Sequence, residues 1–307
     1  MILTVTPNAA LDLTYWVDRL LPRATNRVRR AAERAGGKGV NVSRILHGLG
    51  QPTLVTGLAG GPSGAALRRD LAAAGLAERL LPIAADTRRT VAVVDTEAGD
   101  ATTLLEPGPV VRPEEWHQLL AHVDGLLPDA TAVVLSGSLP QGVPEDSYAG
   151  LIRLAHSHGV PAVLDTAGPA LLAAIEAGPA LVKPNAEELA AATGLVDPVA
   201  AAGALRSAGA GAVVASLGAE GLIALTPQGS WRAEPPARIS GNPTGAGDAA
   251  VAALTLGLVA DAPWPERLAE AVALSAAAVA APLAGDFDPD VHRALRGRVG
   301  VRPLWSA

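Results

Sequence analysis

Short apolar runs recur along this chain with amphipathic stretches between them, and that alternation limits the fold more than any other feature. "ILTVT" at 2–6, "TLVTGL" at 53–58, "AVVLSG" at 132–137, "AVLDT" at 162–166, "LVKP" at 181–184 and "AVVASLG" at 212–218 read as strands. Helical periodicity fills roughly 40–49, 63–74, 113–126, 145–158, 168–177, 186–193 and 198–208. Apolar strands separated by helices point to an α/β fold whose parallel sheet is covered on both faces. Ligands on such sheets bind beyond the carboxyl ends of the strands, so function is expected in the loops that follow each run.

Two regions break the alternation. Residues 14–35 are arginine-rich with little helical period, and 88–106, "RRTVAVVDTEAGDATTLLE", read as two strands joined by a Glu-Ala-Gly-Asp turn. Being polar on one side, they are expected to form a small antiparallel flap over the sheet's edge. No linker, repeat or low-complexity tail divides the chain, so residues 1–307 are expected to be one domain carrying that flap. No run reaches the roughly 18 apolar residues of a membrane span, and "MILTVTPNAALD" lacks the basic opening of a signal peptide. A cytoplasmic protein with no membrane partner is the expectation. The absence of cysteine excludes disulfides, thiolate metal sites and a cysteine nucleophile. A net charge of -6 argues against a nucleic-acid partner. Of 24 basic residues only Lys38 and Lys183 are lysines. A planar guanidinium cannot replace a compact ammonium everywhere, which singles both out.

"GNPTGAGDAA" at 241–250 opens a long apolar helical run. Thr244 could cap that helix, with Asp248 favoured in the first turn by the helix dipole, but a cap explains neither Gly245 nor Gly247. Glycines at a helix start bring bare N–H groups close to an anion; a phosphate could lie against residues 245–247 with Asp248 aimed at whatever attacks it. The dipole is expected to lower the pKa of that carboxylate. A dinucleotide fingerprint fits the spacing of Gly245, Gly247 and Ala250, but a proline-rich lead-in replaces the strand it needs and Asp261 falls too early. "AGGKGVNVSRILHGLG" at 35–50 repeats the glycine-to-helix pattern, with Asn41 placed either to cap or to bind a sugar hydroxyl. "VVLSGSLPQG" at 133–142 leads a strand into Ser136-Gly137-Ser138, with no nearby histidine to make a hydrolase triad. In "LVKPNAEEL" at 181–189, Asn185 and Glu188 fit a capping box, or a polar pair supporting a magnesium ion through water. "SLGAEG" at 216–221 is a turn that could touch a nucleotide.

Taken together and in order, "TPNAALD", "AGGKGVNVSR", "SGSLPQG", "KPNAEEL", "SLGAEG" and "GNPTGAGDAA" resemble the ribokinase-like (PfkB) sugar kinases, and most nearly the branch holding 1-phosphofructokinase and tagatose-6-phosphate kinase. The resemblance implies a Rossmann-type three-layer sandwich with a small β-sheet lid over about 14–35 and 88–106. It also implies transfer of the ATP γ-phosphate, with Mg2+, to a phosphorylated ketohexose. Fructose 1-phosphate or tagatose 6-phosphate is the implied acceptor; fructose 6-phosphate and an unphosphorylated sugar are the alternatives within the family. By the same resemblance Asp248 would be the base, and the N–H groups of Gly245, Ala246 and Gly247 would hold the transferring charge. Asp12, Gly37 and Asn41 would bind the sugar, and Arg27, Lys38, Arg88 and Ser138 the acceptor's phosphate, with Arg89 adjoining Arg88. Lys183, Asn185 and Glu188 would manage ATP phosphates and magnesium, the last two through water. Ser216, Gly218 and Gly221 would lie near the nucleotide. The flap's own one-sided polarity leaves an apolar face too small to be stable by itself, so a homodimer through the lid is expected. Ala9 stands where the branch usually has proline, Ala167 replaces a commoner serine, and the lead-in to Gly245 is unusual. A sugar-phosphate-binding regulator without catalysis and a dinucleotide-linked oxidoreductase are the readings from other classes.

Overall fold

The computed structural model describes residues 1–304. In chain order its strands are β1 (Ile2–Thr6), β2 (Ala10–Val17), β3 (Arg30–Gly36), β4 (Thr53–Ala59), β5 (Glu78–Pro82), β6 (Arg88–Asp95), β7 (Asp100–Leu105), β8 (Ala132–Ser136), β9 (Ala162–Asp165), β10 (Leu181–Val182), β11 (Val213–Ser216), β12 (Leu222–Thr226), β13 (Gly229–Glu234) and β14 (Gly300–Pro303). The helices are α1 (Lys38–Gly48), α2 (Gly61–Ala73), α3 (Pro113–Leu126), α4 (Ser147–Ser157), α5 (Gly168–Ile175), α6 (Ala186–Thr193), α7 (Pro198–Ser207), α8 (Ala246–Val259), α9 (Trp264–Ala280) and α10 (Pro289–Leu295).

Ten strands form the main sheet in the order β14-β13-β12-β11-β10-β9-β8-β1-β4-β5. From β5 to β11 the pairing is parallel, and β12, β13 and β14 extend one edge antiparallel. The period-two alternation of a strand divides the core into two layers. Leu3 and Val5 of β1, Val133 and Leu135 of β8, and Leu164 of β9 join Trp116, Leu119, Ile152, Leu171 and Leu205 from the helices on one face. Ile2, Val134 and Val163 face the other way, against Val42 and Ile45 of α1, Val251 and Leu254 of α8, and Leu268 of α9. This is the three-layer α/β sandwich, and α8 lies inside it, with Asp248 through Thr255 all buried. Among the described residues no single helix is long and apolar enough to cross a membrane.

A second sheet runs in the order β3-β2-β6-β7. β2–β3 and β6–β7 are antiparallel hairpins, but the middle pair β2–β6 is parallel. The expectation of an antiparallel flap is therefore corrected at its centre. β1 and β5 run parallel in the main sheet, so the chain leaves both at the same end, and the strands that follow, β2 and β6, set out in the same direction. Leu11 and Ala35 of this sheet are buried with Leu67 and Leu71 of α2, which seats it on the body. Asp12, Thr14, Thr90, Ala92 and Thr103 look from it into a cleft whose other wall includes Asn242, Thr244 and Ala284.

Candidate active site

The body's side of that cleft is the start of α8. Gly245 precedes the helix with φ 89°, a left-handed conformation that costs glycine little, and no side chain caps the helix. A Cβ on Gly245 would also come within 3.1 Å of the Ala284 backbone. Thr244 does not act as the cap; its own N–H goes to Asn242 Oδ1 at 3.0 Å. The Ala246 N–H donates to Pro243 O at 3.2 Å, while those of Gly245 and Gly247 have no partner among the described residues. Unpaired donors at the positive end of a fourteen-residue helix make a seat for an anion. Gly247 is constrained for a different reason: a Cβ there would stand 3.3 Å from the Lys183 ammonium.

Asp248 follows directly and is buried, its Oδ2 accepting from Asn41 Nδ2 at 2.8 Å. Burial, and after it the like charge of Asp165, push its pKa up to about 7 against the opposing pull of Asn41, Lys38 and Lys183. The expected lowering by the helix dipole is thus reversed, because desolvation of the carboxylate outweighs it. A carboxylate titrating near neutrality and oriented by an amide is suited to act as a base. Asn41 sits in the first turn of α1, which begins as α8 does, with Gly37 at φ 104° and no side-chain cap. Gly37 packs on Thr6 and Ala9, where a Cβ would meet Thr6 Cγ2 at 2.9 Å.

Asp165, at the carboxyl end of β9, was missed as a site residue. Its side chain is 1% exposed and takes the Lys38 ammonium at 3.0 Å and that of Lys183 at 3.7 Å. Burial alone would raise this carboxyl, but the two lysines override it and hold it below the ordinary range. Its Oδ2 remains buried without a partner. The signal was present in "AVLDT", where a carboxylate ends a wholly apolar strand on the side where ligands bind. Lys38 also stands 3.7 Å from Glu188 Oε1, so both lysines gather here. Asn185 and Glu188 do form a capping box on α6: Asn185 Oδ1 accepts from Glu188 N and Glu188 Oε2 accepts from Asn185 N, each at 2.8 Å. Ser216 bridges to Asn185 on the neighbouring strand end. Gly218 and Gly221, both at positive φ, shape the turn after Ser216.

Across the cleft Asp12 projects from β2 of the small sheet, and its pKa is pushed up to about 6 by burial against the pull of Thr90, Arg88, Arg34 and Arg44. Gly36 leaves it room, since a Cβ there would lie 1.9 Å from Asp12 Oδ2. Arg88 and Ser138 are joined through Asn8, a second residue the sequence reading missed: Arg88 Nε donates to Asn8 O at 3.1 Å and Asn8 Nδ2 donates to Ser138 Oγ at 3.0 Å. Arg89, next along the strand and so on its opposite face, donates instead to Ser63 Oγ on α2 at 3.2 Å. Arg27 is exposed on the loop between β2 and β3 and touches none of these groups.

A glycine-opened helix with a buried carboxylate in its first turn, set at the carboxyl ends of a parallel sheet and faced by a small second sheet, defines the ribokinase-like class. The family model described as pfkB family carbohydrate kinase matches residues 5–290, and the chain belongs to that family: it is a carbohydrate kinase. Phosphofructokinase-2 from Escherichia coli in complex with potassium is similar over 97% of this chain and 98% of its own, at 30% identity and a TM-score of 0.91. The same enzyme in complex with fructose-6-phosphate matches at 30% identity over 96% of this chain and 98% of its own, with a TM-score of 0.88. A possible 1-phosphofructokinase from Thermotoga maritima shares 27% identity over 99% and 100% of the two chains, with a TM-score of 0.91.

The raised pKa of Asp248 sets a pH dependence. A base works when deprotonated, so kcat/KM should climb with pH through about 7 and level off above it. Asn41→Leu removes a hydrogen bond to the charged form and should move that inflection upward. A flat profile across about pH 5.5 to 8.5 in the native protein would show that Asp248 is not the titrating base.

Proposed function

We propose that this protein transfers the γ-phosphoryl group of ATP to a free hydroxyl of a phosphorylated ketohexose, fructose 1-phosphate or tagatose 6-phosphate, giving the bisphosphate and ADP. The observation that carries this reading is the buried Asp248 carboxylate set one residue beyond the unpaired N–H groups of Gly245 and Gly247. Asp248 takes the proton of the acceptor hydroxyl as that oxygen bonds to the γ-phosphorus, and Asn41 aims the carboxylate. The free N–H groups of Gly245 and Gly247 receive the charge on the phosphoryl oxygens, that of Ala246, also expected to do so, being given to Pro243 O at 3.2 Å, and the bond to the bridging oxygen breaks toward ADP. Phosphoryl transfer relies on such positioning and charge stabilisation more than on covalent chemistry.

Asp12, Gly37 and Asn41 hold the sugar. Arg88 and Ser138, joined through Asn8, suit the acceptor's phosphate, and a neutral sugar has no use for that guanidinium. Lys183 and the turn of Ser216, Gly218 and Gly221 serve the nucleotide. Magnesium fits this chain: the unpaired Asp165 oxygen and the Glu188 carboxylate, fixed by Asn185, suit a hydrated ion that would neutralise phosphate charge. Fructose 6-phosphate is a second reading, favoured by the complex of the E. coli relative with it.

The lid supports a homodimer. Leu13, Tyr15, Val91, Val93 and Leu104 form one outward row by register, Leu104 being 61% exposed. A four-stranded sheet of this kind gains by covering such a row with a second copy, and Arg27, on the loop beyond it, would then reach the partner's acceptor.

Asp248→Asn keeps the size of the side chain and removes the base. We expect kcat to fall by about 10² to 10⁴-fold, with ATP and sugar-phosphate affinity within a few-fold of the native protein. In a turnover panel a phosphorylated ketohexose should be the best acceptor; preference for an unphosphorylated sugar or a nucleoside would overturn the assignment. Sugar-phosphate binding without turnover in Mg-ATP would instead favour a regulator. Sedimentation should show a dimer that Leu104→Glu dissociates, and a concentration-independent native monomer would contradict the lid interface.

A further inference from the structure

We propose that Lys38 is a catalytic residue of phosphoryl transfer, contacting the γ-phosphoryl group of ATP, and not a ligand for the acceptor's existing phosphate; this rests on the phosphotransfer reading above. The argument is first one of place. Lys38 is the first residue of α1, and its ammonium turns toward β9 and α6, 3.0 Å from Asp165 Oδ1 and 3.7 Å from Glu188 Oε1. The group that joins Arg88, Asn8 and Ser138 makes no contact with it. Asp165 is in turn 3.7 Å from the Lys183 ammonium, which abuts Gly247 at the start of α8. Lys38, Asp165, Lys183 and Gly247 thus form one chain of contacts that ends at the N–H groups offered to the phosphoryl oxygens.

Accessibility separates the two lysines. The Lys183 side chain is 4% exposed, whereas that of Lys38 is 37% exposed. An ammonium has three donors. Asp165 takes one from Lys38, and Glu188 at 3.7 Å is a charge neighbour beyond hydrogen-bonding distance, so donors remain for a ligand. Asp165, Glu188 and Asp248 all act on this ammonium and favour its charged form despite its burial. A permanently charged donor beside three carboxylates is what an incoming triphosphate meets on this side. In the transfer the proton goes to Asp248, the acceptor oxygen bonds to the γ-phosphorus and the electron pair of the broken bond leaves with ADP. Lys38 moves no proton; it neutralises charge on the phosphoryl oxygens as they pass between donor and acceptor.

The test is Lys38→Ala in the full-length chain, read in three ways. We expect kcat to fall by about 10² to 10³-fold, the range for losing one such donor, while the sugar-phosphate dissociation constant by calorimetry stays within about threefold. Added propylammonium should restore part of the lost kcat, which a merely structural lysine would not permit. A non-hydrolysable ATP analogue should bind more weakly to the variant while ADP affinity is unchanged, a readout that holds even if no acceptor is turned over. A tenfold or greater loss of sugar-phosphate affinity, with kcat and analogue binding near native, would return Lys38 to the acceptor's phosphate and overturn the proposal. So would all three readouts near native values in a variant with a lowered melting temperature. Absence of turnover in the native protein, by contrast, counts against the phosphotransfer reading itself.

Discussion

Asp165 is a carboxylate held almost wholly out of water, and the arrangement of the site follows from what that requires. Removing an ion from solvent costs several kcal/mol unless it is paired and hydrogen-bonded. Here the compensation is two ammoniums, contributed by Lys38 and Lys183, the only lysines among 24 basic residues. Elsewhere the chain uses arginine. Two compact, rotatable point charges can share one carboxylate from different sides, whereas two planar forks would need far more room. Because each lysine is drawn to Asp165, each is fixed against something else: Lys183 against Gly247 and Lys38 near Glu188. The same carboxylate, acting through space, helps raise the pKa of Asp248.

Around this charge cluster the backbone supplies two glycine-opened helix starts. α1 and α8 both begin at a glycine with positive φ and both lack a side-chain cap. They meet where Asn41 of one donates to Asp248 of the other. A capped start would be more stable by about 1 kcal/mol; what sets these two apart from the other uncapped helices is the positive-φ glycine that opens each. The small sheet completes the enclosure, bringing Asp12 and Arg88 over the cleft from strands far apart in sequence.

Much of this was legible in the chain itself. The six apolar runs read as strands all lie in the main sheet, and the seven helical stretches match α1 to α7 to within a few residues, because buried strands and amphipathic helices carry their periods openly. Strands at the margins did not: β5, "ERLLP", alternates in exposure and ends in proline, and β14, "GVRP", is short and largely exposed. The β12–β13 hairpin and α9, "WPERLAEAVALSAAAVA", were also not read. The parallel pairing of β2 with β6 joins segments over seventy residues apart by register, and no local pattern encodes it. At the site, Gly245 and Gly247 could be found because a helix cap does not account for them, and they drew Asp248 in with them. The meeting of Lys38 with Asp165 spans 127 positions, and the direction of the Asp248 shift depends on burial that only the packed fold creates.

The central claim is that the start of α8 receives the phosphoryl group in flight. A planar mimic of that group, aluminium fluoride with Mg-ADP and sugar phosphate, tests it without chemistry. The native protein should form a tight ternary complex with it. Gly247→Val, whose side chain would intrude between Lys183 and the open N–H groups, should bind Mg-ADP alone but lose most of the added affinity for the mimic. Equal affinity of both proteins for the mimic would place the transferring group elsewhere and contradict the account.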